Sequence, residues 1–262
     1  MEVLMHGDDQ PELSAPVEEP IAAPADDALT APMEEPPDAA ELDELTEVLL
    51  GKLAAAGLVP AERPPFPAAA FHALDERVRA AFTVPHTTMT PLARRLLFGL
   101  AAARQARDVL VLGSFVGYAA VWVFGPALPP DPLYRADSLL ACDVLGPAVD
   151  AATANFGALG AADAVRVVRS DAADLLARLD RPVDLLYLDV DSPEEGKRGY
   201  APLLTAALPR LAPGALVLAH DVTHPFYRDD VAPYLALTRD REHFRRTATV
   251  EVDPCGLEIT VR

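Results

Sequence analysis

The chain has 262 residues, 51% of them hydrophobic, with 40 acidic against 22 basic side chains and a formal net charge of -18 at pH 7. Fifteen of the acids precede Gly51, where neither lysine nor arginine occurs, so the rest of the chain is close to neutral. This balance argues against nucleic acid or an anionic membrane as partner. No apolar run approaches the roughly 20 residues of a membrane span.

Residues 1–40 place Pro11, Pro16, Pro20, Pro24, Pro32, Pro36 and Pro37 among Ala, Glu and Asp. Such a segment buries too little apolar surface to offset the entropy of ordering, and it is predicted to be disordered. It reads as a solvated extension or as a docking segment for a protein partner. With no basic and apolar leader before it, a cytoplasmic protein is expected. Cys142 and Cys255 lack the spacing of a zinc or redox motif, so a disulfide framework is not expected.

Residues 41–107 predict helices that cover the site. Leu42, Leu45, Val48, Leu49 and Leu53 give Glu41 to Gly57 one apolar face, and a second helix runs from Pro67 to Phe82. Thr90-Pro91 supplies a cap and a first-turn proline for a third, through Leu92, Leu96, Leu97 and Leu100.

Residues 108–262 alternate apolar runs with helical segments, the pattern of a parallel sheet with crossover helices. The runs are 109–112, 138–142, 165–168, 183–188 and 215–219. Two final strands, 243–250 and 256–261, would form a hairpin across Asp253-Pro254. In such a sheet the ligand site lies beyond the carboxyl ends of the strands. There the first strand runs into Gly113-Ser114-Phe115-Val116-Gly117-Tyr118, whose glycines let backbone approach a ligand at a helix start. Asp143 ends the second strand, where a carboxylate accepts ribose hydroxyls or caps a helix. Ser170-Asp171-Ala172 ends the third, with the same ambiguity for Asp171.

These segments, with Tyr187-Leu188-Asp189-Val190-Asp191 and Pro213-Gly214-Ala215-Leu216-Val217-Leu218-Ala219-His220-Asp221, resemble the class I S-adenosylmethionine-dependent methyltransferases over about residues 86–225. Within that class the chain is similar to the catechol and caffeoyl-coenzyme A O-methyltransferase branch. The resemblance implies a Rossmann-like, doubly wound seven-stranded α/β sheet with its last strand antiparallel. It puts Met89, Gly113, Ser114, Gly117 and Tyr118 beside the methionine part of S-adenosylmethionine, Asp143 on the ribose, and Ser170, Asp171 and Ala172 around the adenine. Asp189 stands where the magnesium-dependent members have a metal ligand, and His220-Asp221 where they have Asp-Asn.

Asp189, His220 and Asp221 at adjacent strand ends could hold a divalent cation, the histidine favouring a softer one than magnesium. Alternatively His220 or His224 is a general base titrating near neutral pH, or His220 and Asp221 merely stabilise their loop. Lys197, one of two lysines in the chain, is a further catalytic or carboxylate-binding candidate. Two positions depart from the family: Val111 replaces an acid that holds the cofactor's ammonium, and Ser192 replaces a lysine that assists deprotonation. The expectation is an O-methyltransferase acting on a small-molecule hydroxyl in natural-product biosynthesis. A non-methylating enzyme of the same fold, or a partner subunit, are the other readings. A homodimer or a protein partner would engage the N-terminal region.

Overall fold

Helix α1 (Ala39–Ala55) opens on a reciprocal cap in the computed structural model, which describes residues 38–85, 89–192 and 194–262. Asp38 accepts from Glu41 N at 2.8 Å, while the Glu41 carboxylate accepts from Asp38 N at 3.3 Å. With Asp38 as its cap, the helix begins at Ala39, two residues before the Glu41 start that the apolar spacing predicts. The disorder expected of the preceding residues lies outside the described ones. The expected apolar face is also shifted. Leu42, Thr46, Leu50 and Leu53 point inward, whereas Leu45 and Val48 are exposed. Thr46 can take an inward position because its hydroxyl donates to Leu42 O at 2.7 Å.

Helices α2 (Ala68–Ala81) and α3 (Pro91–Arg104) follow, with Thr90 capping α3 through Ala93 N as its sequence predicts. Their side chains Phe71, Leu96 and Phe98 pack with Trp122 against one face of the sheet, the face of Val109, Val111, Ala141 and Tyr187. At this density, truncating Phe71 or Leu96 to alanine would cost about 3 kcal/mol. The opposite face, with Leu110, Leu112, Leu186 and Leu188, packs on Tyr200, Leu204 and Tyr234.

The sheet comprises β1 (Asp108–Leu112), β2 (Ser138–Asp143), β3 (Val165–Arg169), β4 (Val183–Leu188), β5 (Leu211–His220), β6 (Arg246–Val250) and β7 (Leu257–Val261), in the order β3-β2-β1-β4-β5-β7-β6. The first five strands pair in parallel, and β7 runs antiparallel to both β5 and β6. Burial on both faces makes these strands nearly continuous in apolar residues, which is why they were legible. Strand β6 starts three residues later than expected, since His243 N and Phe244 N turn back onto Asp240 O. Helices α4 (Tyr118–Phe124), α5 (Gly146–Ala158), α6 (Ala172–Arg178), α7 (Tyr200–Ala207) and α8 (Arg228–Thr238) complete the layers.

Strand order reverses direction at β1, between β2 and β4, so the crevice beyond the β1 and β4 ends is the topological place for a ligand. Of the N-terminal region, the turn into α3 reaches that end of the sheet, where the Thr90 hydroxyl donates to Val252 O at 2.7 Å. Among the described residues, no helix is long and apolar enough to cross a membrane.

Candidate active site

The turn after β1 is built by its neighbours. Gly113 N and Ser114 N both donate to Cys142 O, and Asp189 N donates to Leu112 O, locking the ends of β1, β2 and β4 together. Gly113 has φ +83°, and a Cβ there would lie 2.3 Å from Asp189 O. The close approach that demands a bare Cα at Gly113 is to the backbone at the end of β4. Gly117, at φ +85°, precedes α4 and faces Phe156, 2.9 Å from where a Cβ would stand.

Between the glycines, Ser114 is 2% exposed and its Oγ has no hydrogen-bond partner among the described residues. A buried hydroxyl of this kind costs free energy unless something completes it. Asp143 accepts from Phe115 N (2.8 Å) and Leu145 N (2.9 Å), one bond per oxygen, which leaves each oxygen a further lone pair. Asp171 behaves as a helix cap, its Oδ1 accepting from Ala173 N and Asp174 N. Ser170 Oγ donates to Asp171 O and accepts from Arg178, while Ala172 is buried at the start of α6. Tyr118 stacks edge-on against Trp122, and the partly buried Met89 packs on the same core. Asn155, which drew no attention in the sequence, ties the loop to the N-terminal region: it accepts from Thr83 N and donates to both Thr83 O and Val116 O.

Around the ends of β4 and β5 a charged cluster forms. Lys197 Nζ donates to Asp189 Oδ1 at 2.8 Å and lies 2.7 Å from Asp221 Oδ2, although the side chain is only 2% exposed. Burial alone would push the ammonium towards deprotonation, but the charges of Asp189 and Asp221 outweigh it and hold the lysine charged. The ring nitrogens of His220 are both engaged, Nε2 with Asp253 Oδ2 at 2.9 Å and Nδ1 with Asp221 Oδ1 at 3.2 Å. Burial disfavours its charge, yet the Asp253 hydrogen bond and the Asp189 and Asp221 charges prevail and raise its pKa to about 9. The sequence reading had it titrating near neutrality; here three carboxylates keep it an imidazolium. Asp221 sits at φ +63°, a strained conformation for a residue with a side chain, and its carboxyl is held below the usual range. Burial opposes that shift, and Lys197 and His220 impose it.

Lys197 arrives by a local fold that its position in the chain does not announce. Ser192 and Gly196 pair across a tight turn, and Asp230 of α8 receives Lys197 N at 3.4 Å and Arg198 Nε at 2.9 Å. Lys197 thus reaches Asp189 from eight residues on, although Ser192 stands where the family's lysine would. His224 lies at the margin, its Nδ1 accepting from Phe226 N and its ring 5.4 Å from that of Tyr227. Tyr227 donates to Asp191 Oδ2 at 2.9 Å, Tyr187 donates to Asp189 Oδ2 at 3.3 Å, and Tyr200 donates to His220 O at 3.1 Å. The sequence reading assigns no site role to Asp253, Cys255, Tyr187 or Tyr227. A proline-flanked aspartate in a hairpin turn is the one local signal that could have drawn attention to Asp253.

The divalent-cation reading of Asp189, His220 and Asp221 does not fit this arrangement. The two carboxylates that would supply hard oxygen ligands already share an ammonium, and both ring nitrogens of the histidine already face carboxylates.

Residues 110–222 match the family model described as a methyltransferase domain. A catechol O-methyltransferase from Niastella koreensis is 27% identical over 143 residues, 53% of this chain, which spans 60% of that relative's length. Among solved structures, the O-methyltransferase TomG from Streptomyces achromogenes, in complex with SAM, superposes with a TM-score of 0.54 at 22% identity, covering 83% of this chain and 95% of that one. An O-methyltransferase from Bacillus cereus in complex with SAH gives 0.55 at 16% identity, covering 84% and 99%. At these identities the likeness of structures establishes the fold.

Proposed function

We propose that this chain, with its seven-stranded sheet and its match to a methyltransferase domain over residues 110–222, is an S-adenosylmethionine-dependent O-methyltransferase acting on a small-molecule hydroxyl. The observation that carries this reading is the buried, unpartnered Ser114 Oγ in the turn at the point where strand order reverses. In this reading Met89, Gly113, Ser114, Gly117 and Tyr118 line the methionine part. Asp143 uses its remaining lone pairs on the ribose, beside the exposed apolar side chains Val144 and Leu145. Ser170, Asp171 and Ala172 border the adenine.

S-adenosylmethionine, when bound, supplies an electrophilic methyl group. The residues need only orient an oxygen towards it, exclude water and receive the hydroxyl proton. Asp189 fits the last task. Its side chain is 23% exposed, more than that of any charged neighbour in the cluster, with Oδ1 fixed by Lys197 and Oδ2 touched by Tyr187 at 3.3 Å. His220 and Lys197, both held charged, position Asp189 and Asp221, and His224 with Tyr227 borders the substrate's entry. A setting in natural-product biosynthesis rests on the sequence resemblance together with the Ala-, Arg- and Pro-rich, lysine-poor composition.

Calorimetry with S-adenosylhomocysteine and S-adenosylmethionine tests the cofactor: a folded protein that binds neither sinks the proposal. Binding of both without transfer to any hydroxyl compound would instead favour a non-methylating enzyme. For the base, Asp189→Asn is expected to lower kcat by about 100-fold or more while leaving S-adenosylhomocysteine affinity within a few fold. A His224→Ala enzyme that loses more activity than Asp189→Asn would move the role to His224.

A further inference from the structure

The sequence resemblance implies a divalent cation at Asp189 and the end of β5, and between Asp189 and Asp221 stands Lys197 Nζ. We infer that the Lys197 ammonium permanently replaces the cation, so that this protein neither binds nor needs a divalent metal at its substrate end. The inference deepens the methyltransferase reading and rests on it for the words "substrate end"; the geometry stands without it.

Three features lead there. First, Nζ lies 2.8 Å from Asp189 Oδ1 and 2.7 Å from Asp221 Oδ2. A divalent cation taking these two oxygens would compete with the ammonium for the same carboxylates and would bring further positive charge against Nζ. Second, the lysine cannot simply swing away. Its backbone is fixed by the Ser192–Gly196 turn and by Asp230, and its ammonium lies between the rings of Tyr200 (5.4 Å) and Tyr227 (5.5 Å). Third, the carboxylates at this end already have partners within the chain: Lys197 bridges Asp189 and Asp221, and His220 lies against Asp221 and Asp253.

His220, Asp221 and Cys255 do bring three ligand-type atoms within 4.8 Å of one another, a group that a softer metal such as zinc would favour. Each is engaged, however. His220 Nε2 faces Asp253, Nδ1 faces Asp221, and the Cys255 thiol hydrogen-bonds the Asp221 carboxylate. A zinc ion there would have to strip Asp221 from Lys197 and His220 together.

The test uses the full chain, treated with EDTA and then titrated with magnesium, manganese or zinc chloride while thermal unfolding and bound metal are measured. Wild-type protein is expected to hold no stoichiometric metal and to show no rise in Tm. Lys197→Met, which keeps an apolar stem and removes the charge, is expected to bind magnesium or manganese at least about tenfold more tightly than wild type, through the freed Asp189 and Asp221. Metal bound one-to-one by the wild type, or a wild-type Tm rise that Asp189→Asn abolishes, would overturn the inference. So would a folded Lys197→Met that gains no cation affinity. If that variant does not fold, the wild-type metal content and titration decide alone. S-adenosylhomocysteine binding, followed on the same samples, reports separately on the methyltransferase reading: its loss would leave the metal result standing.

Discussion

Ser114 and Asp143, at the ends of β1 and β2, part company energetically. Asp143 is used twice by the backbone of its own surroundings, so replacing it would unmake Phe115 and Leu145 contacts as well as any ligand contact. Among the described residues, nothing uses Ser114 Oγ. Removing an unsatisfied buried hydroxyl costs no hydrogen bond in the free protein. Ser114→Ala is therefore expected to leave the Tm unchanged or slightly higher while weakening S-adenosylhomocysteine about five- to tenfold, roughly one neutral hydrogen bond. Thermal unfolding and calorimetry on the same variant check both halves; a lower Tm with unchanged affinity would assign Ser114 to packing.

At the level of elements, the strand ends matter more than the strands. Gly113 is where β1 leaves the sheet past the last residues of β4, and the Asp189 carbonyl occupies the volume a side chain would need. The Gly113→Ala change adds both a strained positive φ and a clash with backbone that cannot rotate away. A loss of about 3 kcal/mol or more is expected in urea unfolding, together with displacement of Asp189 and loss of activity. The β6–β7 turn carries a comparable responsibility. Asp253 Oδ1 accepts from Cys255 N and Gly256 N while Oδ2 holds His220, so an element far along the chain orients the end of β5.

For the molecule as a whole, the buried charges at the carboxyl edge make folding stability depend on pH. His220 has a folded pKa of about 9 against an ordinary 6.5, so its contribution is complete below about 6.5 and is lost as pH rises through about 9. Asp221 and Asp253, held below the usual carboxylate range, act in the opposite sense: their contribution is present above the ordinary value and is lost as the medium becomes acidic enough to protonate them folded. Urea midpoints are expected to fall between about pH 7 and pH 9, and His220→Asn should flatten that fall; an unchanged slope would remove His220 from the account. The sequence by itself determined the parallel core of the sheet, the three N-terminal helices and the turn after β1. Continuous apolar runs, helical spacing and paired glycines are local signals, readable over a few residues. It also brought Asp189, His220 and Asp221 to one edge, because all three follow directly from strand ends. Only the tertiary structure decided what these residues do there. Lys197 meets Asp189 and Asp221, and Asp253 meets His220, through a tight turn, a helix and a hairpin whose relative placement leaves no periodic trace in the chain. Gly113 makes the same point: its need for a bare Cα comes from a carbonyl 76 residues away that no local pattern could reveal.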